Sequence, residues 1–155
     1  MRIVLVFFLA VFLLTDAAIA QAPTFKPYAS LADIMAGVLF TNSNVIFDST
    51  KTAPKNDMEW TAIQTSAAVL AEAGNLILEK GRLKENGQPV PQSADFRKHV
   101  AALVEAAKGA HKAALTKDPE AVFNACEPLY QACYSCHQAY RFSPTCQEAE
   151  PPAAH

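Results

Sequence analysis

A chain of 155 residues carrying 13 Lys and Arg against 15 Asp and Glu has no basic excess with which to hold nucleic acid or anionic lipid. Four cysteines are too few, at this length, for a fold built on disulfides. What remains is one domain's worth of chain, long enough to bury a real core.

The chain opens MRIVLVFFLAVFLLTDAAIAQA. Arg2, an unbroken apolar run from Ile3 to Leu14 and the small residues Ala18 and Ala20 have the layout of a secretory signal. That run is shorter than the roughly 20 residues a membrane-spanning helix needs. Residues 1–20 are therefore expected to be cleaved, leaving 21–155 as an exported, periplasmic chain with no integral membrane span. The tail 147–155, ending EAEPPAAH, reads as frayed.

Four stretches of the mature chain have helical periodicity. The first has Ser30 as N-cap with Asp33 three residues on, close to a capping box. It places Leu31, Ile34, Met35, Val38, Leu39, Val45 and Ile46 on one stripe. The second runs from about Asp57 to Lys80-Gly81 with Trp60, Ile63, Ala67, Leu70, Gly74 and Ile77 inward. After the loop GRLKENGQPVPQ, Ser93 caps a third helix whose inner face holds Phe96, Val100, Leu103, Ala107 and Ala114. Asp118-Pro119 is an N-cap with proline at the first helical position. The fourth helix carries Val122, Cys126, Leu129, Cys133, Cys136 and Tyr140 on one face, and Pro128 is expected to kink or locally open it. Four helices of similar length predict an all-α, antiparallel up-down-up-down four-helix bundle.

The fourth helix contains CYSCHQAYR, residues 133–141. A thioredoxin-like redox pair expects a βαβ setting, and none is visible. A zinc site wants four ligands, usually as two paired clusters, and one cluster is present. Covalent haem attachment needs two thiols spaced for the two vinyl groups of one porphyrin edge, with an imidazole beside the second. Cys133, Cys136 and His137 supply that set, in a chain whose start predicts export. One covalently bound haem c near the C-terminal end is expected, with His137 as axial ligand of the iron.

A four-helix bundle with Cys-x-x-Cys-His on its last helix resembles the class II cytochromes c, the cytochrome c prime-like family. The likeness extends past the ligands, because Tyr140 and Arg141 continue the family's Cys-x-x-Cys-His-x-x-Tyr-Arg ending. It covers the mature chain in architecture and is specific in sequence over the final helix. The resemblance implies that Arg141 lies beside the haem; the residue-level alternative is a solvated helix end. It also implies a possible homodimer. The first helix departs from the family in lacking the early Arg that many members carry.

The sixth position of the iron decides the function. In such a bundle the starts of the first and third helices share one end with the end of the fourth. Met35 is then the methionine at the level of His137, whereas Met58 begins the second helix at the opposite end. The low-spin relatives take their axial methionine from this same helix, as the resemblance implies; ordinary core filler is the alternative for Met35. His99 is at a compatible height for ligation, propionate contact or solvent, and His111 is too far along the third helix. Asn42 sits seven residues from Met35 and needs a partner in a propionate, a water or the backbone, the backbone being the simplest. Cys126 and Cys146 cannot pair unless Pro128 breaks the fourth helix, because roughly 24 Å of helix is recovered by at most about 14 Å of extended chain.

Two functional classes follow. One is an electron carrier with His137 and Met35 on the iron, exchanging single electrons with redox partner proteins. The other is a five-coordinate haem protein that binds or buffers a small gas such as nitric oxide in an apolar pocket around Met35 and Leu39. A peroxidase-like enzyme would need a distal acid–base group that only His99 offers. With no catalytic constellation in view, a non-enzymatic protein is expected.

Overall fold

The computed structural model describes residues 26–141. The expected signal segment, Cys146 and the tail lie outside the described residues.

Helix α1 covers residues 31–49 in three consecutive segments: α-helical Leu31–Ile34, π-helical Met35–Phe40 and α-helical Thr41–Ser49. The capping box at its start is complete. Asp33 N donates to Ser30 Oγ at 3.2 Å, and Ser30 N donates to Asp33 Oδ2 at 2.8 Å. Six of the seven expected stripe positions meet the core, Leu31, Met35 and Val38 partly buried against it, and Val45 alone departs. A wider turn brings every fifth residue, not every fourth, back to one face. The buried positions are accordingly Ile34, Leu39 and Ile46, while Val45 is turned out.

Helix α2 spans Asp57–Leu78, capped by Asn56, and buries all six positions expected of it together with Ser66 and Ala73. It stops two residues before Lys80, and Gly81 then takes a positive φ of 89° that other residues rarely adopt. Helix α3 spans Ala94–Leu115 under its Ser93 cap, and α4 spans Pro119–Tyr140 under Asp118. The helix is continuous through Pro128, which lies on its exposed side, so the expected opening there does not occur.

Cross-helix tethers set the directions. Gln64 donates to the Ala114 carbonyl at 3.1 Å and Lys117 pairs with Asp57 at 2.7 Å, joining the start of α2 to the end of α3. Tyr140 donates to Asp95 at 2.7 Å, joining the start of α3 to the end of α4. In the loop 79–93, Leu83 accepts from Leu31 N at 2.8 Å. The buried Arg82 donates from Nε to the Leu76 carbonyl and from Nη1 to that of Ala29. These bonds pin the start of α1 to the end of α2. Sequence neighbours therefore run antiparallel, as the four-helix bundle requires.

The α2–α3 seam is the most extensive helix contact among the described residues. A Cβ on Gly74 would stand 2.3 Å from Val104 Cγ2, so only glycine permits this approach. Ala67, Ala73, Ala107, Ala110 and Ala114 are all buried, and small side chains of this kind let backbones come together.

Candidate cofactor site

Helical spacing puts Cys133, Cys136 and Tyr140 on one face of the last two turns of α4, with His137 on the shoulder beside them. All four are partly buried, and Cys133, Cys136 and Tyr140 pack against the core. Earlier in the same helix Val122, Leu129 and Ala132 are fully covered, but no residue from Cys133 to Tyr140 is. The reason lies in α1. All three segments of α1 pack mainly on α2, and Thr41–Ser49 also reaches α4. The start of α1 and the end of α4 share a bundle end, where Cys133–Tyr140 remain only partly covered.

Burial disfavours charge on the thiols. It raises Cys133, and together with the neighbouring Cys133 and Asp95 it pushes Cys136 up to about 11. At His137 burial and then the charge of Arg141 push the other way, lowering the imidazole below its ordinary range. A neutral imidazole keeps a nitrogen lone pair available to a metal. Cys133, Cys136 and Cys126 are free thiols, Cys126 half-buried as a lone thiol in α4. Among the described residues no three His, Cys, Asp or Glu side chains form a group that could hold a metal ion.

Met35 opens the π segment, is partly buried, and packs on the core at the bundle end that also holds His137. Val38, also partly buried, and the fully buried Leu39 continue that apolar wall. Met58, by contrast, is 78% exposed at the far end. Asn42 Nδ2 donates to the Val38 carbonyl at 2.8 Å, the backbone partner expected for it. Arg141 ends α4, its N–H on the His137 carbonyl at 2.8 Å, and its charge reaches that imidazole.

His99 stands against the same stretch of α4 from α3. Its ring packs edge-on to Tyr140 at 5.7 Å, with Ser135 Oγ 3.4 Å from Nδ1 and Asp95 Oδ2 3.8 Å from Nε2. This places it on the α3–α4 seam. Phe96 closes the other side of Tyr140 at 4.9 Å. Asp95 escaped the sequence reading, although its place four residues before His99 was a usable signal, since i and i+4 share a helix face.

With this geometry in hand, comparison with known families is informative. Residues 90–141, about a third of the chain, match the family model for cytochrome c'. The match covers the end of the loop, α3 and α4 with all of CYSCHQAYR; over that stretch the chain is similar to the cytochrome c' family, which supports a c-type cytochrome. No curated protein and no solved structure matches the sequence significantly.

The residues fit a haem. Two neutral thiols three residues apart pack against the core without being fully covered, an imidazole whose protonation burial disfavours stands beside them, and the apolar Met35, Val38 and Leu39 of α1 lie at the same bundle end. No helix among the described residues is long and apolar enough to cross a membrane.

Proposed function

We propose that this chain is an exported cytochrome, periplasmic after cleavage at Gln21, that carries one covalent haem and passes single electrons between redox partner proteins. Cys133 and Cys136 would hold the group through thioether bonds, His137 would supply the axial nitrogen and Met35 the opposing sulfur. When bound, the haem supplies the one-electron couple. The protein's own part is positional. Helix α4 fixes two thiols and an imidazole in one rigid stretch, burial and Arg141 keep that imidazole unprotonated, and Val38 and Leu39 keep water from the Met35 side. A thioether ligand favours the reduced state relative to a second imidazole, which suits a carrier. No enzymatic role is proposed.

The observation that carries this reading is that Met35 of α1 and His137 of α4, both partly buried, lie at one end of the bundle. The apolar wall formed by Val38 and Leu39 favours a second reading, a five-coordinate protein that binds a small gas such as nitric oxide. Intact mass of the purified protein tests the shared premise. The chain from Gln21 plus one haem, retained through acid–acetone extraction, is expected; extractable haem or none contradicts both readings.

A further inference from the structure

We propose that the outer face of α4 is a self-pairing surface, on which two copies of this chain meet antiparallel about a two-fold axis at Tyr130. The face carries a row of exposed aromatic side chains. Phe123, Tyr130 and Tyr134 are 63%, 52% and 47% exposed, and the Tyr130 and Tyr134 rings stack 5.9 Å apart at an interplanar angle of 14°. Steps of seven and four keep all three on one side of the helix. Val122, Leu129 and Ala132 hold α4 to the bundle from its other side. The exposed Glu120, Glu127 and Arg141 continue the row at steps of three and four, with the partly buried His137 on its shoulder. Alternation of three and four is the spacing by which one helix faces another along its length.

The order of these residues says what covers them. Tyr130 is the midpoint of the row. Turning a second α4 about that point brings Glu120 to the level of the partner's Arg141, Glu127 to the partner's Tyr134, and Tyr130 to the partner's Tyr130. The acidic half of one helix then faces the basic end of the other, with the helix dipoles opposed. A parallel pairing sets Glu120 on Glu120 and Arg141 on Arg141, so charge selects the antiparallel arrangement. A partner of uniform charge satisfies one half of the row; a second copy satisfies both. A fully enclosed aromatic side chain covers about 150–250 Å², so three at about half exposure offer roughly 300 Å² per copy. That is an apolar centre for an interface of about 800 Å² a side, with the charged ends of the row as its rim. The pairing also carries the partner's Phe123 to the level of His137, so each copy contributes an aromatic ring to the outer side of the other's candidate site. The argument uses exposed side chains alone and stands apart from the haem reading.

The test is the molar mass of the purified protein by sedimentation equilibrium from roughly 1 to 100 µM, the range in which micromolar association shows. The natural protein is expected to dimerise. Tyr130→Glu sets two carboxylates against each other at the axis, and should weaken association by about thirtyfold or more, the scale of losing an interface hot spot. Glu120→Arg should weaken it less, and Glu120→Arg combined with Arg141→Glu should restore it. Circular dichroism checks that each variant keeps its helices; if Tyr130→Glu does not fold, the loss and rescue at Glu120 and Arg141 decide the question. A natural protein that is monomeric throughout, a dimer that survives Tyr130→Glu, or a dimer lost instead through Phe40→Glu on the exposed side of α1, overturns the proposal.

Discussion

The α2–α3 seam and the meeting of α1 with α4 are built from the same kinds of residue and do opposite things. Along α2–α3 the small residues Ala67, Gly74, Ala107 and Ala114 let two straight helices close completely, and nothing is left over for chemistry. Between α1 and α4 the contact is made chiefly by Thr41–Ser49, and the last two turns of α4 stay only partly covered. The π segment at Met35–Phe40 lies in the part of α1 nearest that end. A bundle that packs fully on one side and incompletely on the other has a scaffold and a site; the fourth helix, touching both α3 and α1, belongs to each.

The largest effect should come from the open end. His137→Ala removes the axial nitrogen, and the purified variant is expected to lose its native absorption spectrum together with much of its thermal stability, because the haem would fill what α1 leaves uncovered. An unchanged spectrum would refute the assignment. Gly74→Leu attacks the closed seam instead. Its side chain meets Val104 and Val100, and denaturant unfolding should show a loss of about 3 kcal/mol with the spectrum of the folded protein intact.

Met35→Ala should reverse that pattern. A truncation of a partly buried residue costs about 2 kcal/mol, the low end for such changes, yet the iron should turn high-spin, its potential should fall and carbon monoxide should bind. The smallest effect concerns the unloaded chain. There Cys136, raised from its ordinary value near 9 to about 11, contributes stability that is full below about pH 9 and lost as pH climbs through 11. Alkylation of the haem-free protein should be slow at pH 8 and accelerate toward pH 11. Rapid alkylation at pH 8 would mean the thiols do not face the core.

How legible each region was in the sequence follows from how local its physics is. The caps Ser30, Asn56, Ser93 and Asp118 bond within three residues of themselves, so the starts of all four helices could be placed near Ser30, Asp57, Ser93 and Asp118. The inner stripe of α2 was likewise readable at all six positions, because an undistorted helix repeats every 3.6 residues. In α1 the same rule failed at Val45, since a π turn leaves no signature in an apolar pattern that tolerates either spacing. The thiol and imidazole spacing of α4 was visible as a motif. The Asp95–His99–Tyr140 contact was not, being a tertiary meeting 45 residues apart in sequence. Arg82 was invisible for a similar reason, because its partners Leu76 and Ala29 are carbonyls brought to it by the fold.

The absorption spectrum of the purified ferric protein tests the central claim most directly, since it asks what stands opposite His137 at the end that α1 and α4 share. Ligation by Met35 predicts a low-spin spectrum with a weak sulfur-to-iron charge-transfer band toward the red and no ready uptake of carbon monoxide after reduction. A high-spin spectrum without that band, in a protein that binds carbon monoxide at once, would contradict it and give the open end to a gaseous ligand.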